Sequence, residues 1–518
     1  MHLFLVILIS LLATVENMLP SIVGFQKTPP NTVFLGTVHH ADDYFYYLSQ
    51  FAQGATRSLT TTNLYSSENG PDTFIGWSNV LTGRIFHLIG IPAIPAYQIS
   101  IAIWTFLLCL SAYKLALLIL KDKHKALLSL ILFVLYHSFP IFRDNHWTYA
   151  DYWNNFSVPR VRFGGVPHQL LLSTLSVLTL SFLLQKKRVL MAISAFFLAS
   201  LQPVLWLLIV MSTGIASIRD YSQALKKSPS TLHSYFLNLK SFRSTLLLFL
   251  SGLPAAIYLN KIFSTLPFSQ LKIWEASQQV PLKITGFFLA MGPIFIIALL
   301  SLYIFLSKRR YERFIIFFFA LLSLSFLMSP IPQIAGLTNI RFMSTLAILC
   351  ISIIAANGLM HIKSRIVFIS LLFVLGILVI PNHIRTVKMS SDFTPSNAYE
   401  FLSKSDFNFL SSMQTIGKPA DTFLVLWPYN MPFPALTGKR SYHGHPLLTI
   451  DPSTKNANAA AFYDENLTSE QIQEILVNNN IRYIIAYPWQ TSLNQLSYLK
   501  LLQQTNNLVV FEVFLENL

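Results

Sequence analysis

Long apolar blocks alternate with short hydrophilic breaks along most of the chain. The blocks lie near 3–23, 96–120, 126–142, 168–184, 189–201, 203–218, 244–263, 285–307, 314–330, 342–362 and 366–382. Several fall short of the ~20 residues that a straight membrane crossing takes. Those are read as tilted segments or as short helices buried within a bundle. The pattern predicts a polytopic α-helical membrane protein with about 11 membrane segments.

Lys and Arg orient these segments. KDKHK (121–125), KKR (186–188), the stretch from Arg219 to Arg243, KRRYER (308–313) and KSR (363–365) fall in alternate loops. They therefore share one face, the cytoplasm. The block 189–218 sets the parity. A break at Gln202-Pro203, where proline disfavours a continuous helix, keeps Lys226 and Lys227 inside. The N-terminal block has a weak basic flank and no clear small-residue cleavage site, so it is read as an uncleaved first helix. The N-terminus is then cytoplasmic and the C-terminus outside, in a multi-pass protein of the plasma or inner membrane.

Past residue 383 the pattern changes. DTFLVLWPY (421–429), IRYIIAYP (481–488) and LVVFEVFL (508–515) read as strands. LTSEQIQEILVNNN (467–480) reads as a helix capped by Thr468, with Gln471 three residues on. Residues 390–415 add a helix at the start. Strand and helix alternation predicts a small α/β domain. The expected organisation is a transmembrane domain, 1–388, whose long first outer loop is 24–95, followed by an extracytoplasmic α/β domain, 389–518.

Composition agrees. The chain is 53% hydrophobic and 11% charged, against about 25% charged in soluble domains. Its net charge of +15 first suggests nucleic acid. The basic residues sit in loop clusters, however, without an aromatic-basic stripe or RNA motif, which excludes that class. Cys109 and Cys350 both fall in apolar blocks and make no disulfide framework, zinc site or redox motif. Walker, GxGxxG, GxSxG, HExxH and EF-hand patterns are absent.

Four outer stretches carry candidate chemistry. In VHHADDYFYYLSQFAQG (38–54), Tyr44, Tyr47, Phe51 and Leu48 fit one helical face, with Asp42 as a candidate N-cap and Gly54 as a stop. Asp42 and Asp43 read either as cap and first-turn acid, or as a general base or metal site. His39 and His40 are further candidate ligands. RDNHWTYADYWNNFSVPRVRFGG (143–165) offers Asp144, His146, Asp151, Arg160 and Arg162. Arginine forks away from the basic face suit a lipid phosphate; an ordinary polar loop with aromatic anchors is the alternative. Arg341 in TNIRF (338–342) and Arg84 in LTGRIFH stand at loop–helix boundaries, where a charged group marks a site or snorkels to headgroups. In LTGKRSYHGHPLLTID (436–451), Gly438 and Gly444 predict tight turns, with His443 and His445 accessible in a structured loop.

The layout and several motifs resemble the GT-C superfamily of integral-membrane glycosyltransferases. DDYFYYLSQFAQG (42–54), NLYSSE (63–68) and LTGRIFHLIGIP (81–92) look like the first outer loop of bacterial, mannosyltransferase-like members. LTGKRSYHGHPLLTIDPSTK (436–455), AFYDEN (461–466) and IRYII (481–485) look like their C-terminal region. The sequon-reading motif of oligosaccharyltransferases is absent. The resemblance implies transfer of a sugar, of hexosyl type, from a polyprenyl-phosphate donor to an envelope glycan, lipid or protein at the outer face. It implies Asp42 or Asp43 as the acid that deprotonates the acceptor or organises a metal, with Asp151 as a second-loop acid. Arg160, Arg162, Arg341 and Arg84 would bind donor phosphate, stabilising the charge that grows on the leaving oxygen. Tyr44, His146, Trp147, Trp153 and Trp274 would meet substrate, with membrane anchoring as the other role for the aromatics. A divalent metal, if used, would take Asp43 and His40. Other classes are a transporter or flippase of lipid-linked precursors and a non-catalytic envelope scaffold. Few charges within the helices and no evident repeat favour the enzyme.

Overall fold

The computed structural model describes residues 2–57, 59–143, 146–149, 165–227, 240–280 and 283–514. The chain is mostly helical and divides into two compact units that do not follow chain order. One comprises Met1–Met18, Ile101–Lys261 and Glu275–Met389; the other comprises Leu19–Ser100, Ile262–Trp274 and Ser390–Leu518.

Helices occur at all eleven predicted stretches. Seven of them are long and apolar enough to cross a membrane: His2–Gln26, Ala93–Leu120, Pro167–Leu184, Pro203–Asp220, Phe242–Ile262, Ile284–Ser307 and Arg365–Met389. The chain is thus a multi-pass membrane protein. The other four, Lys123–Val134, Arg188–Leu201, Tyr311–Leu327 and Thr345–Leu359, are shorter. The predicted break is present. One helix ends at Leu201, Gln202 is extended, and the next begins at Pro203.

The helical unit is built around Thr345–Leu359, every residue of which is buried. A helix apolar all round belongs inside a bundle. Fifteen residues reach only about 22 Å, short of the ~30 Å hydrocarbon core. Ser344 caps this helix by accepting from Ala347 N–H. Gly358 lets it approach Ile284–Ser307, because a Cβ there would lie 1.7 Å from Ser301 Oγ.

Ile284–Ser307 is kinked at Gly292-Pro293, where Gly292 has φ 73°. Pro293 has no N–H for the Leu289 carbonyl. Phe139 N–H donates to that carbonyl instead at 2.8 Å, and Tyr136 Oη donates to Met291 O at 2.6 Å. The kink is therefore stabilised by partners outside the helix. Large apolar residues such as Leu300, Tyr303 and Ile366 are 78–85% exposed, as lipid-facing positions are.

The second unit holds the first-loop segments and the tail. Its five-stranded sheet comprises β1 (Thr422–Val425), β2 (Arg440–Ser441), β3 (Ile481–Ala486), β4 (Leu499–Gln504) and β5 (Val509–Val513). In spatial order the strands run β2-β1-β3-β5-β4. The first three are parallel, and β5 is antiparallel to both β3 and β4. Helix Ser469–Asn478 opens with the predicted Thr468–Gln471 capping box. The predicted helix near 390–415 is Lys404–Ser412. A separate antiparallel pair joins Thr32–Phe34 to Phe401–Ser403. Phe34 packs there against Phe25, Phe393 and Phe401.

Candidate functional site

The DDYFYY stretch folds as a helix, Ala41–Gln53, here α1. Its N-cap is His40, without a side-chain cap bond, so Asp42 is not the cap that the pattern suggested. The helix begins one residue earlier and places both aspartates in its first turn, where the dipole favours negative charge. Asp42 is half-buried and Asp43 exposed. Burial pushes the Asp42 carboxyl up from the ordinary aspartate value, and the nearby His40 charge partly opposes it.

The chain entering α1 is tightly held. Tyr44 Oη donates to Leu35 O at 2.6 Å. Gln98 Nε2 donates to Gly36 O at 2.8 Å, and Ser21 donates to Gln98 Oε1 at 2.6 Å. Gly36 has φ 82°, and a Cβ there would lie 2.7 Å from Tyr44 Oη. His39 Nε2 meets Tyr97 Oη at 3.0 Å. Tyr44 is fully buried, so in this structure it offers no face to a ligand and instead fixes the 35–44 turn. Gly54 is the C-cap as predicted. A Cβ at Gly54 would meet Arg84 N at 2.4 Å, and one at Gly83 would meet Phe51 O at 2.2 Å. These two glycines let α1 cross helix Trp77–Leu88 closely.

NLYSSE and the 436–455 tail motif come together. Lys455 Nζ donates to both Glu68 carboxylate oxygens at 2.7 Å, to Ser67 Oγ at 2.8 Å and to Ser66 Oγ at 3.1 Å. Ser66 Oγ donates to Glu68 and accepts from Ile450 N–H. Arg440 Nη1 donates to Asn69 Oδ1 at 2.6 Å. Ser441 N–H donates to Leu64 O, and Asn63 Nδ2 donates to Leu448 O. Burial opposes the Glu68 charge, but the Lys455 and Ser66 hydrogen bonds win and hold its carboxyl below the ordinary range.

His443 and His445, expected to be accessible, are buried at 5% and 3% exposure. His443 bonds Asn456 and Val425 O, and His445 packs on Tyr46 and Tyr65. Burial pushes His443 down and His445 down to about 4. The sequence reading assigned no role to Glu68 or Lys455. Their available signal was the pairing of an isolated acid and an isolated base within two motifs of the same resemblance.

Arg84 Nη1 donates to Arg57 O at 3.3 Å, and Arg57 pairs with Asp72 at 2.5 Å. Arg341, in the helical unit, makes a bidentate bond to Glu275 at 2.8 and 2.7 Å. Trp274 is half-exposed. His146 and Trp147 lie on a short strand, in register with Arg143 and Phe142. Asp144, Asp151, Trp153, Arg160 and Arg162 lie outside the described residues. Among the described residues no group of three or more His, Cys, Asp or Glu is placed to hold a metal.

No protein-family model matches the chain, and no curated protein matches its sequence. Its structure resembles that of the oligosaccharyltransferase AglB from Archaeoglobus fulgidus. Against AglB in complex with an inhibitory peptide and a dolichol-phosphate, the TM-score is 0.54 at 13% identity, over 95% of this chain and 70% of that one. Against apo AglB the TM-score is 0.55 at 13% identity, with the same coverage. With AglB in complex with zinc and sulfate it is 0.51 at 14% identity, over 94% and 68%. The chain shares the fold of these oligosaccharyltransferase structures. At such low identity the likeness is one of fold. Within this fold the two aspartates stand in the first turn of the first helix after the N-terminal span, and motifs from both ends of the chain build one polar cluster.

Proposed function

We propose that the chain is a membrane glycosyltransferase that takes a sugar of hexosyl type from a polyprenyl-phosphate donor. It passes that sugar to an envelope acceptor at the outer face of the membrane. The observation that carries this reading is the first turn of α1. There a half-buried carboxylate with a raised pKa stands next to an exposed one, at the start of a helix fixed by buried bonds. A carboxylate moved toward neutral pH is a better general base than an ordinary aspartate.

In the proposed reaction Asp42 or Asp43 takes the proton of an acceptor hydroxyl. The acceptor oxygen forms the new bond at the anomeric carbon, with inversion. The carbon–oxygen bond to phosphate breaks, and its electron pair stays on the phosphate. Arg341, Arg84, Arg160 and Arg162 are the proposed cations for that growing charge, with Asp151 as a second acid. Arg341 would trade its Glu275 partner for the donor, or share it. A divalent metal at Asp43 and His40 would supply Lewis-acid assistance, and no step here is routed through it. His146, Trp147, Trp153 and Trp274 are proposed substrate contacts.

The test is transfer from a radiolabelled polyprenyl-phosphate hexose in membranes carrying Asp42→Asn or Asp43→Asn. At least one variant should lose about 100-fold or more, as general-base removal does. Full activity in both would remove the proposal. Because Asp42 must be ionised to act, the acid limb of kcat/KM should lie above 3.8, the ordinary aspartate value. A second reading, movement of lipid-linked precursors, draws on the His383–Glu16 pair at 2.8 Å between two membrane-spanning helices. It predicts that Glu16→Gln abolishes translocation while Asp42→Asn leaves it intact.

A further inference from the structure

The second unit carries an aromatic surface that the proposed chemistry does not use. Trp489 is 67% exposed. One face of its indole stacks on Tyr487, with ring centroids 4.1 Å apart and planes 10° from parallel. The pair stands just beyond the carboxyl end of β3. In open α/β sheets ligands bind outside the carboxyl ends of parallel strands. Val425 of β1 pairs with Ile485 of β3. Exposed Trp427 and half-buried Tyr487 therefore each stand two residues past paired positions, at the same end of the sheet.

The turn that holds the stack is rigid. Buried Gln490 accepts from Tyr487 N–H through Oε1 at 3.0 Å and donates through Nε2 to Tyr463 O at 2.7 Å. Gln490 N–H also donates to Tyr487 O. Tyr463 Oη in turn donates to Ile485 O at 2.9 Å. A large indole is thus held in place by a buried amide while its outer face stays in solvent. Rigid Tyr and Trp surfaces bind at a small entropy cost.

The surroundings select among ligands. Residues 487–499, YPWQTSLNQLSYL, contain no charged side chain; Asn494 and Gln495 of this loop are exposed, and Ser492 donates to the Glu465 carboxylate at 2.7 Å. Anchors to a membrane surface combine aromatics with Lys and Arg, which this loop lacks. An open ring face on a loop of neutral amides and hydroxyls, with the Glu465 carboxylate bonded to Ser492 as a further acceptor, suits a sugar ring. The axial C–H groups of a sugar meet the negative π face, and its hydroxyls meet the amides.

We propose that the Tyr487–Trp489 stack is a binding platform for a neutral glycan chain, which makes the acceptor a growing polysaccharide. This rests on the glycosyltransferase reading for the acceptor's role, but not for the binding itself. The probes are neutral hexasaccharides of glucose, mannose and arabinose, titrated calorimetrically into full-length protein in nanodiscs. One of the three should bind, and Trp489→Ala should weaken it about tenfold, the equivalent of 1.4 kcal/mol. Trp489→Phe should retain most of the affinity, and the melting temperature of both variants should be unchanged. In transfer assays Trp489→Ala should raise KM for a long acceptor and leave kcat and transfer to a monosaccharide acceptor as they were.

Binding of none of the three sugars, or equal binding by Trp489→Ala, would overturn the proposal. So would quenching of Trp489 emission by brominated lipids in the nanodisc, which would make the stack a membrane anchor. Failure of the enzyme reading has a different signature: Asp42→Asn and Asp43→Asn fully active in the membrane assay, with hexasaccharide binding untouched.

Discussion

The helical unit and the loop–tail unit join distant parts of the chain by opposite means. In the helical unit the decisive contacts are made at backbone carbonyls. A kink without a Cβ at Gly292 lets residues 136–139 hydrogen-bond the carbonyls of Leu289 and Met291. In the loop–tail unit the corresponding contacts are polar. Lys455 gathers Ser66, Ser67 and Glu68 from a segment almost 400 residues earlier. Inside a bilayer, close packing and satisfied carbonyls are what hold helices together. Where irregular segments meet, backbone and side-chain groups need partners from outside a helix or strand, and a buried lysine with several acceptors can tie them.

This contrast can be broken or sharpened by four measurements, taken from the largest expected effect downward. Gly292→Ala would force a Cβ to 1.9 Å from His137 O at φ 73°. It should cost about 3 kcal/mol or more, read as loss of folded protein on size exclusion in detergent. The loop–tail unit should meanwhile resist proteolysis as before.

Acid should act the other way. His445 is held down to about 4 by burial, so between its ordinary 6.5 and that value the unfolded chain binds more protons. Stability of the loop–tail unit should therefore fall as pH drops through this window, by on the order of 2–3 kcal/mol. Amide exchange in the tail would record the loss, and His445→Phe should flatten it.

Lys455→Met leaves Glu68 with the Ser66 hydroxyl but without its hydrogen-bonded cation. A cost of about 2 kcal/mol, discounted because the Glu68 side chain is 41% exposed, should appear as faster proteolysis within 60–70 and 436–455. The smallest effect belongs to Glu275→Gln. Arg341 is 44% exposed there, and a surface pair contributes about 1 kcal/mol or less, so thermal stability should barely change. Any large change in donor KM for that variant would come from Arg341 rather than from folding.

Much of the architecture was legible beforehand, for identifiable reasons. Apolar runs separated by hydrophilic breaks marked eleven of the described helices, because lipid and buried core both demand unbroken apolar surface. The Gln202-Pro203 break and the Thr468–Gln471 box were readable because they are local backbone chemistry. The number of full crossings was not. Thr345–Leu359 reads like a span, but it is a short helix buried on all sides.

The candidate site was legible in part. Asp42 and Asp43 at a helix start follow from the pattern around them, yet the cap is His40, and only the burial of Asp42 distinguishes the two carboxyls. Tyr44 looked like a ligand surface because aromatic periodicity alone does not say which face is covered. The Glu68–Lys455 cluster was invisible to any reading of local pattern.

The sequence by itself determined the membrane character, the helix positions, the strand–helix alternation of the tail and the acidic start of α1. Each depends on residues within a turn or two of one another. The tertiary structure alone decided which glycines are obligatory, which histidines are buried and neutral, and that Lys455 answers Glu68. Those properties depend on what arrives from hundreds of residues away, and burial, which sets both packing and charge, exists only once it has arrived.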